Sequence, residues 1–172
     1  AHPTLFQKET LLNDNVDIVV INEGSFTAMD LAGYFKAGGN LRGINGVGFK
    51  NKDNEVSITG SRDMEDIRQL PHFDFSMVNV ENYLSQWADS VYRREFPLSK
   101  ERIRIMPILT GLGCAYKCEF CINVILKRRY RWLSADLIVK EIKRLQEGYG
   151  ANTFLFLDED FFINKKRILE FI

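Results

Sequence analysis

"RIRIMPILTGLGCAYKCEFC", residues 102–121, decides how the rest of the chain is read. Residues 102–110 alternate and then turn wholly apolar, as a strand does on entering a covered sheet. Residues 113–121 carry Cys114, Cys118 and Cys121, which are all the cysteines of the 172-residue chain. Three clustered thiols cannot all be paired within the chain, and no distant thiol exists to staple a loop. They read as a ligand set for a reducing compartment. A C-x-x-x-C-x-x-C spacing lets three thiolates converge on one soft metal centre, and Lys117 and Glu119 between them argue against core filling. A closed zinc site wants a fourth ligand, for which His2 and His72 are remote in sequence. An iron–sulfur cube also normally takes four cysteines, so three leave one iron open, as catalytic sites do.

Downstream, "SADLIVKEIKRLQEGYG" places Leu137, Ile138, Ile142 and Leu145 on one helical face, with Ser134 as N-cap and Gly148 as C-cap. "NTFLFLDED" reads as a second buried strand ending in acids, and "NKKRILEFI" as the start of a second helix. From residue 102 the order is strand, loop, helix, strand, loop, helix, which predicts an α/β fold with a parallel sheet and right-handed crossovers. Both the cysteines and the acids fall in loops at the carboxyl ends of strands, where such folds keep their chemistry. "KRRYRW", residues 127–132, reads as a solvated connector, because one short basic run on a neutral chain is a weak nucleic-acid signal.

Upstream, the apolar run at 16–21 predicts a strand buried on both faces. A turn follows, then a helix over "FTAMDLAGYFKAGG" whose Phe26, Met29, Ala32 or Gly33 and Phe35 share a face and whose stop is Gly38-Gly39. Strands near Val47–Lys50 and Glu55–Thr59 flank a polar turn at Asp53-Asn54, a hairpin. From Ser61 to about Lys100 the period weakens, Pro71 and Pro97 interrupt it, and Trp87 and Tyr92 are isolated anchors of an ordered connector.

Lys plus Arg and Asp plus Glu are both 23, so no overall field steers the chain toward nucleic acid or anionic lipid. No apolar run approaches a membrane span and no secretory pattern opens the chain, which makes the cytoplasm the expected location. The start at Ala1 and the ending "RILEFI" predict a piece of a longer protein. There is no internal repeat and no glycine-rich phosphate-loop motif.

"GCAYKCEFC" after a strand resembles the signature of the radical SAM superfamily, C-x-x-x-C-x-aromatic-C, with Phe120 in the aromatic position. The resemblance implies that Cys114, Cys118 and Cys121 hold a [4Fe–4S] cluster whose fourth iron binds S-adenosylmethionine, and that reduction releases a deoxyadenosyl radical. It places Phe120 beside the adenine. "YRWLSADLIVKEIKRLQEGYGANTFLFLDEDFFINKKR" is similar to the stretch after the cluster loop in many members, which implies that Asp158, Glu159 and Asp160 lie beside the methionine moiety. The first hundred residues resemble the second half of the cobalamin-binding domain of one large subclass. Glu23, Gly24 and Thr27 match its G-E-G-E-x-T turn, while Asn22 and Ser25 depart from it. Cobalamin contact is expected at Glu23, Gly24 and Ser25.

The implied architecture is the latter part of a Rossmann-like cobalamin-binding domain (1–60), a connector (61–100) and the first strand–helix units of a radical SAM partial barrel (101–172). The implied reaction is radical modification of an unactivated carbon on a small-molecule substrate, most often methyl transfer through methylcobalamin. An electron donor such as flavodoxin or ferredoxin is implied, with neither membrane nor nucleic acid as partner. Two other readings stand beside it: a radical SAM enzyme that does not use cobalamin, and a zinc-stabilised binding module without catalysis. A methylthiotransferase-like member is disfavoured because the chain has no further N-terminal cysteines.

Overall fold

The structure, a computed structural model, describes residues 2–51, 53–87 and 103–172. By contact the chain divides into two compact units, Ala1–Asp66 with Phe120–Leu126, and Ile67–Glu119 with Lys127–Ile172. The cysteine loop is thereby shared, with Cys114 and Cys118 in the second unit and Cys121 in the first.

In the first unit, helices α1 (His2–Leu5) and α2 (Gln7–Leu11) precede β1 (Ile18–Val20), α3 (Ser25–Ala37), β2 (Val47–Lys50) and β3 (Val56–Ile58). The strands form an antiparallel sheet in the order β1-β2-β3, with Val19 opposite Gly48 and Phe49 opposite Ser57. The expected hairpin is β2–β3. Strand β1, which leads into α3, pairs antiparallel with β2. Residues 38–46 carry the chain back to the carboxyl end of β1, where Ile21 N–H bonds the Gly46 carbonyl at 2.8 Å, so β2 runs the opposite way.

The pleat of β2 explains its burial. Val47 and Phe49 pack with Leu31 of α3, while a Cβ on Gly48 would meet Val19 at 2.9 Å and Leu11 of α2 at 3.2 Å. Apolar surface therefore covers both faces of this strand. The face of α3 is rotated from the expected one: Thr27 and Leu31 are buried, whereas Met29 and Phe35 are exposed.

In the second unit, α4 (Val80–Trp87) forms where the sequence predicts an irregular connector. Its Leu84 inserts into a core with Met106, Leu145 and Ala151, and this tertiary burial stabilises a helix too short to persist alone. The Trp87 side chain, Tyr92 and Pro97 lie outside the described residues. Strand β4 (Ile105–Ile108) is parallel to β7 (Thr153–Phe156), with Ile105 opposite Thr153 and Ile108 opposite Phe156. Helix α6 (Ala135–Tyr149) leads into β7, and α7 (Lys165–Phe171) follows it. The expected strand–helix–strand–helix order holds, and no closed barrel is present among the described residues.

Helix α6 begins after Ser134 as expected but runs past Gly148 and ends at Gly150, which takes the left-handed conformation. Ala135, Ile138 and Leu145 are buried, and Leu137 is exposed. Between β4 and α6 lie β5 (Gly111–Leu112), α5 (Ile122–Ile125) and β6 (Arg131–Trp132). Strands β5 and β6 pair antiparallel, Gly111 opposite Trp132, so the end of "KRRYRW" is strand and not a free connector.

Candidate functional site

The parallel pair β4 and β7 ends in a buried polar junction. Asp158, two residues beyond β7, accepts hydrogen bonds from the Thr110 backbone N–H and hydroxyl, both at 2.7 Å. Arg167 of α7 lies 3.5 Å from the same carboxylate, and the two charged side chains are each 1% exposed. Its guanidinium also donates to the Thr110 carbonyl at 3.1 Å and the Phe161 carbonyl at 2.6 Å, and stands 4.8 Å over the Phe161 ring. Burying opposite charges is tolerated because each finds hydrogen bonds as well as its partner. The junction ties both strand ends to α7.

The cysteine loop springs from this junction. A Cβ on Gly111 would lie 2.8 Å from Asp158 Oδ2, so only glycine lets the backbone pass so close to the carboxylate. Gly113 has φ of +73°, and a Cβ there would also run into the Arg129 carbonyl. Pairing of β5 with β6 fixes this approach. Beyond it, Cys114 and Cys121 are half-buried, Cys118 is exposed and all three thiols are free. The Phe120 ring is 93% exposed. Among the described residues, no group of three or more His, Cys, Asp or Glu side chains is gathered as a metal site. Pairing of β5 with β6 holds the start of the loop, up to Gly113, at the carboxyl end of the parallel pair. The donor set itself, three free thiols on one loop, fits a soft centre with an open position. His72, the one histidine near this half of the chain, is engaged elsewhere, with Nδ1 2.6 Å from Glu141.

The three acids after β7 have different surroundings. Asp158 has both oxygens engaged by Thr110 inside the junction. Asp160 accepts from Phe162 N–H at 3.1 Å and caps the short turn Phe161–Ile163. Glu159 is exposed. Tyr130 stacks on Trp132 with centroids 5.0 Å apart, and its hydroxyl oxygen is buried. Burial pushes the Tyr130 phenol up, Arg167 opposes this, and Asp158, Asp160 and Cys114 add to it. Sequence reasoning missed Thr110, Tyr130 and Arg167, since nothing in local pattern tells which polar residue points inward.

In the first unit the turn after β1 is self-contained. Asn22 takes φ of +67°, a conformation asparagine tolerates, where the resembled pattern has glycine. Glu23 accepts from Glu65 N–H at 3.0 Å, and Glu65, 5% exposed, accepts from Phe26 N–H at 2.9 Å. The first turn of α3 is therefore capped by a carboxylate from 39 residues away. The Glu23 carboxylate thus meets protein backbone, and one N–H at the head of α3 is taken by Glu65. Gly24 sits against Val20, where a Cβ would come within 3.2 Å, and Ser25 is the exposed first residue of α3.

Residues 108–172, from the end of β4 through α7, match the Radical SAM superfamily. The matched segment thus begins where the buried junction and the cysteine loop begin. The chain is 26% identical over 156 residues to the uncharacterized methyltransferase PH0819 of Pyrococcus horikoshii, covering 90% of this chain and 31% of that protein. It is 26% identical over 159 residues to the anaerobic magnesium-protoporphyrin IX monomethyl ester cyclase of Cereibacter sphaeroides, covering 91% of this chain and 24% of that one. It therefore spans less than a third of the length of these relatives. Its fold is similar to that of the cobalamin-dependent S-adenosylmethionine radical enzyme OxsB with aqua-cobalamin and S-adenosylmethionine bound. There the TM-score is 0.71 at 18% identity, over 99% of this chain and 22% of that one. Among the described residues, no helix is long and apolar enough to cross a membrane.

Proposed function

We propose that the protein carrying this chain is a radical SAM enzyme in which Cys114, Cys118 and Cys121 bind a [4Fe–4S] cluster, with S-adenosylmethionine at its open iron. The observation that carries the reading is the coincidence of the superfamily segment with a loop of three free thiols at the carboxyl end of a parallel strand pair. Methyltransferases among the relatives and the likeness to OxsB support a cobalamin-dependent methyl transfer to carbon on a small-molecule substrate. When bound, the cluster would supply the electron that cleaves the sulfonium, and cobalamin would carry the methyl group.

The chain's own contribution is positioning. The Thr110–Asp158–Arg167 junction fixes the two strand ends, Gly111 and Gly113 let the loop pass close over them, and the cysteines beyond are left free to turn inward as ligands. Asp158, Glu159, Asp160 and the Phe120 ring are the candidates for S-adenosylmethionine contact, with the exposed Phe120 available to cover the adenine. Glu23, Gly24 and Ser25 at the head of α3 are the candidates for cobalamin. An electron donor of the flavodoxin or ferredoxin class completes the scheme, and three free thiols suit a reducing cytoplasm.

Anaerobic reconstitution of the full-length protein with iron and sulfide, followed by electron paramagnetic resonance of the reduced state with and without S-adenosylmethionine, tests this. A cluster signal that shifts on adding S-adenosylmethionine is expected. Stoichiometric zinc in place of a cluster would overturn the reading in favour of a structural zinc module, and absence of cobalamin retention would remove only the cobalamin clause.

A further inference from the structure

Tyr130 lies outside the cysteines and acids that the motif singles out, yet it is built into their surroundings. Its ring is held from two directions. A Cβ on Gly111 would come within 3.4 Å of its Cε2, and Trp132 stacks on it at an interplanar angle of 19°. With so few torsions and two flanking contacts, the position of the hydroxyl is set by the fold. That hydroxyl is buried and has no hydrogen-bond partner among the described residues. Its electrostatic neighbours are Arg167, Asp158, Asp160 and Cys114, so it lies among the junction, the acid-bearing turn and the first cysteine.

A buried hydroxyl without a partner costs about 1–3 kcal/mol. Of its electrostatic neighbours, Asp158 already accepts two bonds from Thr110, Asp160 accepts from Phe162 N–H, and Arg167 offers no acceptor. The donor is thus desolvated, held in place and unspent.

We propose that the Tyr130 hydroxyl is a ligand-binding group of this site, donating a hydrogen bond to an acceptor oxygen of S-adenosylmethionine. This rests on the proposed function above and adds a residue to it. The acceptor repays the desolvation, and the stacked ring keeps the donor oriented before the ligand arrives, which lowers the ordering cost of binding.

The test is Tyr130→Phe in the full-length, cluster-reconstituted protein, since this removes one oxygen and keeps the ring. S-adenosylmethionine affinity is measured by titration calorimetry beside iron and sulfide content and the thermal midpoint. An affinity weakened about 3- to 10-fold, with cluster content and midpoint unchanged, supports the proposal. Unchanged affinity overturns it. Loss of cluster or a lowered midpoint in step with affinity also overturns it, because the hydroxyl then serves the fold alone. Failure of the underlying reading is seen separately: Cys118→Ser would then retain the metal content of the parent, whatever Tyr130→Phe does.

Discussion

Thr110 and Asp158 meet across the carboxyl ends of two neighbouring parallel strands, the backbone N–H and the hydroxyl of one spanning both oxygens of the other at 2.7 Å. The geometry makes Asp158 an internal fastener of the loop base, and it requires Arg167 to balance the charge. Removing one member of a buried pair leaves the other uncompensated, which typically costs about 3–5 kcal/mol. Arg167→Met should therefore lower unfolding stability by that amount in urea titration, and Arg167→Met with Asp158→Asn should recover part of it. A single variant within about 0.5 kcal/mol of the parent would show that the pair does not hold these strand ends.

The two glycines Gly113 and Gly148 should respond in opposite senses. Gly113→Ala meets both a left-handed backbone and the Arg129 carbonyl, so a loss of about 1–3 kcal/mol and poorer iron uptake are expected. Gly148 lies within α6, and a Cβ there meets nothing within 4 Å, so Gly148→Ala should gain about 0.5–1 kcal/mol. Thermal unfolding of both variants checks the contrast.

Glu65 reaches back to the first turn of α3, and Glu65→Ala should cost about 1–2 kcal/mol. Faster amide exchange confined to the first turn of α3 is the local signature. Exchange unchanged at Phe26 would mean that the carboxylate does not cap the helix.

Glu141 carries the expected pH dependence of the second unit. Burial pushes its carboxyl up, but the bonded Arg144 guanidinium and His72 together hold it below the usual carboxylate range. A depressed folded pKa stabilises above the unfolded value, about 4.3, and that contribution is lost as pH falls toward the folded value. The midpoint difference between the parent and Glu141→Gln should thus be full at pH 6 and shrink below about pH 4. A difference independent of pH would show that the carboxylate charge is not involved.

Cys118→Ala should abolish cluster assembly in the reconstituted full-length protein, read as iron and acid-labile sulfide. Normal content of both would remove Cys118 from the ligand set.

Much of the second unit was legible because its signals are local. The period of α6, the apolar runs of β4 and β7 and the spacing of the thiols each lie within about fifteen residues, and the parallel pairing follows from their order. Helix α4 was not legible, since Leu84 gains its burial from Met106 and Leu145, which no local window contains. The face of α3 was misjudged for a similar reason: with apolar residues nearly all round, the choice of Thr27 and Leu31 over Met29 and Phe35 is made by the sheet it packs on.

By itself the sequence determined the succession of β4, α6, β7 and α7 and the single loop that carries every thiol. Those properties depend on residue type and short-range spacing, which survive without knowledge of the fold. Only the tertiary structure decided which polar groups are spent internally. Asp158, Glu23 and Glu65 look like surface acids in the chain, and become fasteners because strands and turns 39 to 48 residues apart bring backbone donors to them. Tyr130 emerges by the same route, as its neighbours Gly111 and Asp158 are assembled by pairing of β5 with β6 and of β4 with β7.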